Sequence, residues 1–231
     1  MSRDREQGNA LRTSPPATSA ARSVGELSHL LEHPAIWRGR SAARMQTLPS
    51  GFPVLDEGLP GRGWPQTGLI EILPTCFGAG ELSLLLPALA AVMRRPGARW
   101  CAWVAPPLQP FAPALAECGL ALERMLVVRA QRKDAGGKSA LWAFEQTLRS
   151  GACEVVLAWL RSALPRQIHR LHLAAQRGAT LGVVFRPPEA ARDFSPAPLR
   201  VAVEPIAQGA KVTLLKSRGG ARGTIELPTL W

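Results

Sequence analysis

The residues best placed for chemistry lie in Leu69–Leu82 (LIEILPTCFGAGEL), where an apolar strand runs into a glycine-bearing turn and then into an apolar helix. Such a unit aims backbone N–H groups and a helix N-terminus at one spot, which suits a phosphate. Phosphoryl transfer needs more: a lysine on the β/γ-phosphates and a Ser or Thr hydroxyl on Mg²⁺ at the end of the turn. Those two places hold Gly80 and Glu81. A carboxylate there favours the helix dipole but repels a triphosphate. With Pro74, Gly78, Gly80 and Glu81 as its marks, the stretch reads as a degenerate phosphate loop kept as scaffold, and no cofactor is expected in it.

Other sites are weaker. His169 and His172 are three apart on one predicted helix, but no carboxylate or cysteine at ligand spacing accompanies them, so a solvated face is expected and no metal. No GxSxG is present, and no cysteine has a local histidine partner that would mark a nucleophile. Cys76, Cys101, Cys118 and Cys153 form no CxxC pair and read as buried reduced thiols.

The net charge of +11 is carried mostly by arginine, and from Arg161 to the end eleven Lys/Arg face four Asp/Glu. That excess suits nucleic acid or an acidic protein, and equally an arginine-rich solvated surface. Arg166, Arg170, Arg177, Lys216, Arg218 and Arg222 are the candidates for a partner- or DNA-binding surface. No apolar run reaches the roughly 18 residues of a membrane span, and no signal core follows the N-terminal charges. A cytoplasmic protein is therefore expected, nucleoid-associated when engaged.

These residues need positioning elements. Residues 1–22 are polar and aperiodic and read as a disordered tail. Residues 23–47 hold a short helix begun by the capping pair Ser23 and Glu26, then a linker in which Trp37 stands among Arg38, Arg40 and Arg44. Residues 48–187 form the core. Strands are predicted at Leu69–Leu73, Arg99–Ala105, Met125–Arg129, Glu154–Leu160 and Thr180–Arg186. Helices are predicted at Glu81–Met93, Phe111–Cys118, Ala140–Arg149 and Arg166–Arg177. Ser139 should cap the third helix, with Leu141, Trp142, Phe144 and Leu148 on its apolar side, after a charged loop at Ala130–Lys138. Near-continuous apolar strands alternating with helices imply an α/β fold, a mostly parallel twisted sheet flanked by helices. Within residues 188–231, Pro187–Pro198 reads as a flexible loop. Leu199–Glu204 and Lys211–Leu215 form an antiparallel hairpin at the sheet edge. Beyond them the basic turn SRGGARG leads to IELPTLW.

This order resembles the RecA core, and still more its degenerate relatives, the SulA cell-division inhibitors and the ImuA proteins of damage-induced mutagenesis. The stretch SGFPVLD at Ser50–Asp56, followed by GLIEILP at Gly68–Pro74, looks like the approach to the RecA phosphate loop. The likeness runs through LLLPAL, RWCAWVAPP, RSGACEVVLAWL and LGVVFRP, about 140 residues. It implies a RecA-like fold without ATPase activity. The family's loop lysine and threonine fall on Gly80 and Glu81, its metal-holding aspartate on Trp159 and its water-orienting glutamate on Pro107. An indole at Trp159 would fill the empty nucleotide cleft.

The approach at Ser50–Asp56 and the basic end point to ImuA. The function implied is that of a non-catalytic accessory of error-prone translesion DNA synthesis in the SOS response. Its implied partners are an ImuB-like polymerase adaptor, an error-prone polymerase and RecA, with weak DNA binding. The alternative implied is a SulA-type inhibitor that binds the division GTPase FtsZ. Two further readings are an ATPase using unrecognised residues and a direct single-strand DNA binder. The C-terminal LPTLW vaguely resembles peptides that dock into a DNA sliding clamp, although packing on the core is the plainer account.

Overall fold

The computed structural model describes residues 46–78, 80–129, 137–218 and 222–228. The expected tail at 1–22, the Ser23 helix and the Trp37 linker lie outside them. So do most of the Ala130–Lys138 loop, the centre of SRGGARG and the last three residues.

Two short strands, β1 (Thr47–Leu48) and β2 (Trp64–Pro65), pair antiparallel around helix α1 (Pro53–Gly58). Strand β3 (Gly68–Pro74) is buried along its whole length and lies inside an eight-stranded sheet. Helix α2 (Leu86–Met93), β4 (Trp100–Val104), α3 (Ala112–Glu117) and β5 (Met125–Val128) follow. Then come α4 (Lys138–Ser150), β6 (Cys153–Trp159), α5 (Pro165–Arg177) and β7 (Leu181–Phe185). Strands β8 (Leu199–Ile206), β9 (Gly209–Ser217) and β10 (Gly223–Pro228) complete the sheet. Its order is β10-β9-β8-β3-β7-β6-β4-β5. From β8 to β5 neighbouring strands are parallel, whereas β9 and β10 run antiparallel.

Side chains alternate across a strand, so each strand feeds two cores. Ile70, Ile72, Trp103, Leu157 and Val183 meet α1 and α2 on one face. Leu69, Ala102, Val104, Val156 and Val184 meet α4 and α5 on the other. Burial on both faces explains why the strands read as continuous apolar runs.

Five sequence expectations need correction. The helix expected from Glu81 starts at Leu86, because residues 81–85 form tight turns (Ser83 N–H to Gly80 O, 3.0 Å; Leu85 N–H to Leu82 O, 2.8 Å) and Pro87 sits in the first helical turn. Trp142 is 65% exposed. The buried stripe of α4 is Leu141, Phe144, Glu145 and Leu148, and Trp142 lies about 100° around the helix from Leu141. The cap position of α4 belongs to Gly137 in a left-handed conformation (φ 62°), which places Ser139 inside the helix. The segment after β7 is anchored, with a 3₁₀ turn at Pro188–Arg192 and with Ala190, Ser195 and Ala197 buried. Finally, residues 223–228 are an eighth strand, with Leu227 buried and Ile225 packed on the core.

Candidate functional site

In the glycine-bearing turn after β3, Gly78 and Gly80 both take positive φ (87° and 89°). The Gly78 N–H donates to both carboxylate oxygens of Glu81, at 3.0 Å each, and Glu81 is only 2% exposed. A backbone donor of the kind that cradles a phosphate is thus occupied by the chain's own carboxylate. Pro74 closes β3 as a buried residue.

At the carboxyl end of β6, Trp159 is buried and lies nearly face to face with Phe185 of β7, ring centroids 4.8 Å apart at 23°. Trp103 of β4 leans on it from the other side at 5.8 Å and 56°. The indole N–H of Trp159 has no partner among the described residues. The three rings belong to one buried apolar cluster at the carboxyl ends of β4, β6 and β7. Pro107 is exposed beyond β4.

The basic candidates do not form one surface. Arg166 and Arg177 are exposed on α5. Arg170, on the same stripe, is bound to Glu145 of α4 at 2.8 Å, so it ties two helices together. Lys216 donates to the Ser195 carbonyl at 2.8 Å. Burial first, then the neighbouring Arg218 and Arg200 charges, hold its ammonium below the usual lysine range. Arg218 and Arg222 are exposed. Arg218 acts on His172, about 200° around α5 from Arg170. Helix α5 therefore separates Arg218 from the Arg166, Arg170 and Arg177 stripe.

His172 is a structural acceptor: its Nδ1 takes the Leu69 N–H at 3.1 Å. Burial, with the Arg218 and His169 charges behind it, pulls its pKa below the usual imidazole value, which suits an acceptor that must stay neutral. Among the described residues no group of three or more His, Cys, Asp or Glu could hold a metal ion.

Sequence reasoning missed the most charged site in the interior. Glu71, fully buried in β3, binds Arg186 at 3.0 Å and Arg200 at 2.5 Å. Arg186 also reaches Asp193 at 3.1 Å and the Ala163 carbonyl at 3.2 Å, and Arg200 donates to the carbonyls of Ala190 and Asp193. The triad joins β3, β7 and β8 and pins the segment between the last two. The signal for it was a glutamate inside LIEIL, since a buried carboxylate requires cationic partners.

Comparison with known proteins bears on this geometry. The family described as "Cell division inhibitor SulA" matches residues 80–182, from the glycine turn to the start of β7. The SulA of Edwardsiella piscicida is 37% identical over 129 residues, covering 54% of this chain and 71% of that protein. The SulA of Photorhabdus laumondii is 34% identical over 119 residues, covering 51% and 63%. The chain thus spans less than two thirds of the second relative. The crystal structure of SulA from Pseudomonas aeruginosa superposes with a TM-score of 0.43 at 28% identity, covering 51% of this chain and 97% of that one. No helix among the described residues is long and apolar enough to cross a membrane.

These matches overturn the expected assignment to a translesion-synthesis accessory. That expectation leaned on Ser50–Asp56 and the basic C-terminal part, both outside the matched family region, and the relatives found carry the other name. The polymerase-adaptor, polymerase and RecA partners came with that reading, and the comparisons do not bear on them. From the shared residues 80–182 and the extent of the Edwardsiella match, the chain belongs to the SulA family of cell-division inhibitors.

Proposed function

We propose that this protein is a cell-division inhibitor that acts by docking on the division GTPase FtsZ and hindering its polymerisation. The observation that carries the reading is the 37% identity, across 71% of its length, to a relative named cell division inhibitor SulA. The geometry supports a binding role without nucleotide chemistry. Glu81 occupies the Gly78 N–H, and Trp159, at the carboxyl end of β6, is packed into the core against Phe185. The fold then serves as a rigid body whose exposed groups, including Arg166 and Arg177, meet the partner. Expression in response to DNA damage and action in the cytoplasm belong to the same proposal.

Overproduction tests it directly, because a division inhibitor makes rod-shaped cells filament without halting growth. In solution, the purified chain added to FtsZ and GTP should lower the light-scattering plateau in proportion to its concentration. Cells of normal length together with unchanged polymerisation would overturn the proposal. Equilibrium dialysis with labelled ATP separately tests the non-catalytic part, and tight Mg²⁺-dependent binding would refute that part alone.

A further inference from the structure

On the sheet face away from the glycine turn, a cleft of about 430 Å³ opens at the carboxyl ends of β6 and β7. Lys138 and Leu141 reach it from the first turn of α4, Leu164 from the start of α5, Arg161 from the end of β6, and Arg186 and Glu189 from beyond β7. Two helices thus begin at one cavity and turn the positive ends of their dipoles toward it.

The charges in its wall are unequally committed. Arg186 is spent on Glu71 and Asp193. Lys138 and Arg161 form no ion pair with any described residue. Among the described lining residues Glu189 is the one acid outside an ion pair, against the two cations Lys138 and Arg161.

The apolar part is equally specific. Leu141 is buried in the floor, and Leu164 at the rim is 50% exposed. Phe194, next to the lining residue Asp193, is 76% exposed. Leu164 occupies the N-cap of α5, a position where Ser, Asp or Asn would serve the helix better. The missing cap oxygen is offset by Gln167, whose side chain accepts the Leu164 N–H at 2.8 Å. A half-exposed leucine at a position where the helix prefers a polar cap is the kind of local departure expected at a functional site.

A cavity of this size takes one or two large side chains. Nucleic acid fits it poorly, since the lining offers only two unpaired cations beside a carboxylate and no aromatic side chain among its described residues, the exposed Trp142 and Phe194 lying next to it and not in it. We propose that this cleft binds an acidic peptide segment of a partner protein, with an apolar side chain against Leu141 and Leu164 and a neighbouring carboxylate on Arg161 and Lys138. The assignment does not depend on the division-inhibitor reading, because it specifies the chemistry of the segment and not the partner's identity.

Panning a random-peptide phage library on the purified full chain tests it, followed by fluorescence polarisation of the enriched peptides. Enriched sequences should place Asp or Glu within two residues of Leu, Phe or Trp. Arg161→Glu should weaken their binding about tenfold or more. Arg149→Glu, at the far end of α4 and about 16 Å from Lys138 along the helix, should leave binding unchanged. Leu164→Ser should weaken binding while keeping or raising the melting temperature, a pairing that a purely structural role for Leu164 does not give. No enrichment, enriched peptides without acids, binding indifferent to Arg161→Glu, or displacement of the peptides by oligothymidylate would each overturn the proposal.

Discussion

Glu71 and Arg200, 129 residues apart in sequence, meet in the interior with the arginine Nε 2.5 Å from the carboxylate. Arg186 takes the other oxygen, so a single buried glutamate bridges three adjacent parallel strands. Removing one member of a buried ion pair leaves an uncompensated charge and costs about 3–5 kcal/mol, far more than an exposed pair contributes.

The triad therefore predicts strong non-additivity. Glu71→Gln should lower stability by about 3–5 kcal/mol. Adding Arg186→Met to that variant should cost less than Arg186→Met costs alone, because its charge has already lost its buried partner Glu71 and keeps only the half-exposed Asp193. Urea unfolding of the two single variants and the double variant measures the coupling. Strictly additive costs would mean that Glu71 and Arg186 do not act together.

A pH dependence follows from His172. Its folded pKa lies below the ordinary 6.5, so the unfolded chain binds the proton first as pH falls. The folded state has its full advantage from this group above about pH 6.5, and loses it progressively as pH drops toward the depressed folded value. His172→Asn, which offers Leu69 an oxygen acceptor in place of Nδ1, should flatten the fall in stability below pH 6.5 while changing little at pH 8. Thermal unfolding of both proteins across pH 5–8 gives the comparison, and parallel profiles would remove His172 as the source.

The cysteines should divide into two pairs. Burial pushes the Cys101 thiol up to about 12 and the Cys153 thiol up to about 11, while Cys76 and Cys118 are exposed, which corrects the expectation that all four are buried: both lie outside the sheet, Cys76 in the turn after β3 and Cys118 at the end of α3. The thiolate is the reacting form, so buried protonated thiols resist alkylation. Iodoacetamide at pH 8 should add two groups to the native protein and four after denaturation, as counted by mass spectrometry. Rapid fourfold labelling of the native chain would contradict the burial of β4 and β6.

How much of this was legible in the sequence depended on whether the signal was local. Strands β3, β4, β6 and β7 announce themselves because burial on both faces turns each into an apolar run, and α5 because Pro165 and Gly178 bracket an amphipathic stretch. The start of α2 was misplaced by five residues because the Glu81 side chain bonds backward to Gly78, a choice that apolar periodicity does not register. Strand β10 carries a readable two-residue alternation, Ile225 and Leu227 against Thr224 and Glu226, but the preceding basic glycines drew the reading toward a tail. The triad was half legible. Glu71 demanded cations, but nothing local selects Arg186 and Arg200 from the arginines later in the chain. The split of the basic candidates around α5 was also out of reach, since it depends on Glu145 claiming Arg170 and Ser195 claiming Lys216.

Trp159 decides between a cleft that is vacant and one that has become core. Its indole contacts Phe185 and Trp103 and is almost wholly removed from solvent, so Trp159→Ala deletes a large packed side chain. The cost should be about 3–5 kcal/mol, the range for emptying such a site, and calorimetry or urea unfolding reads it. If the space were a nucleotide site merely blocked by the indole, the smaller residue would restore ATP binding. It should not, because Glu81 still covers the Gly78 N–H and Gly80 stands in place of a lysine. At a temperature where the variant remains folded, the inhibition of FtsZ polymerisation proposed for the native chain should be unaltered, since Trp159 is buried and not part of the exposed surface. Regained Mg²⁺-dependent ATP binding in Trp159→Ala would show instead that the turn keeps its phosphate-binding geometry.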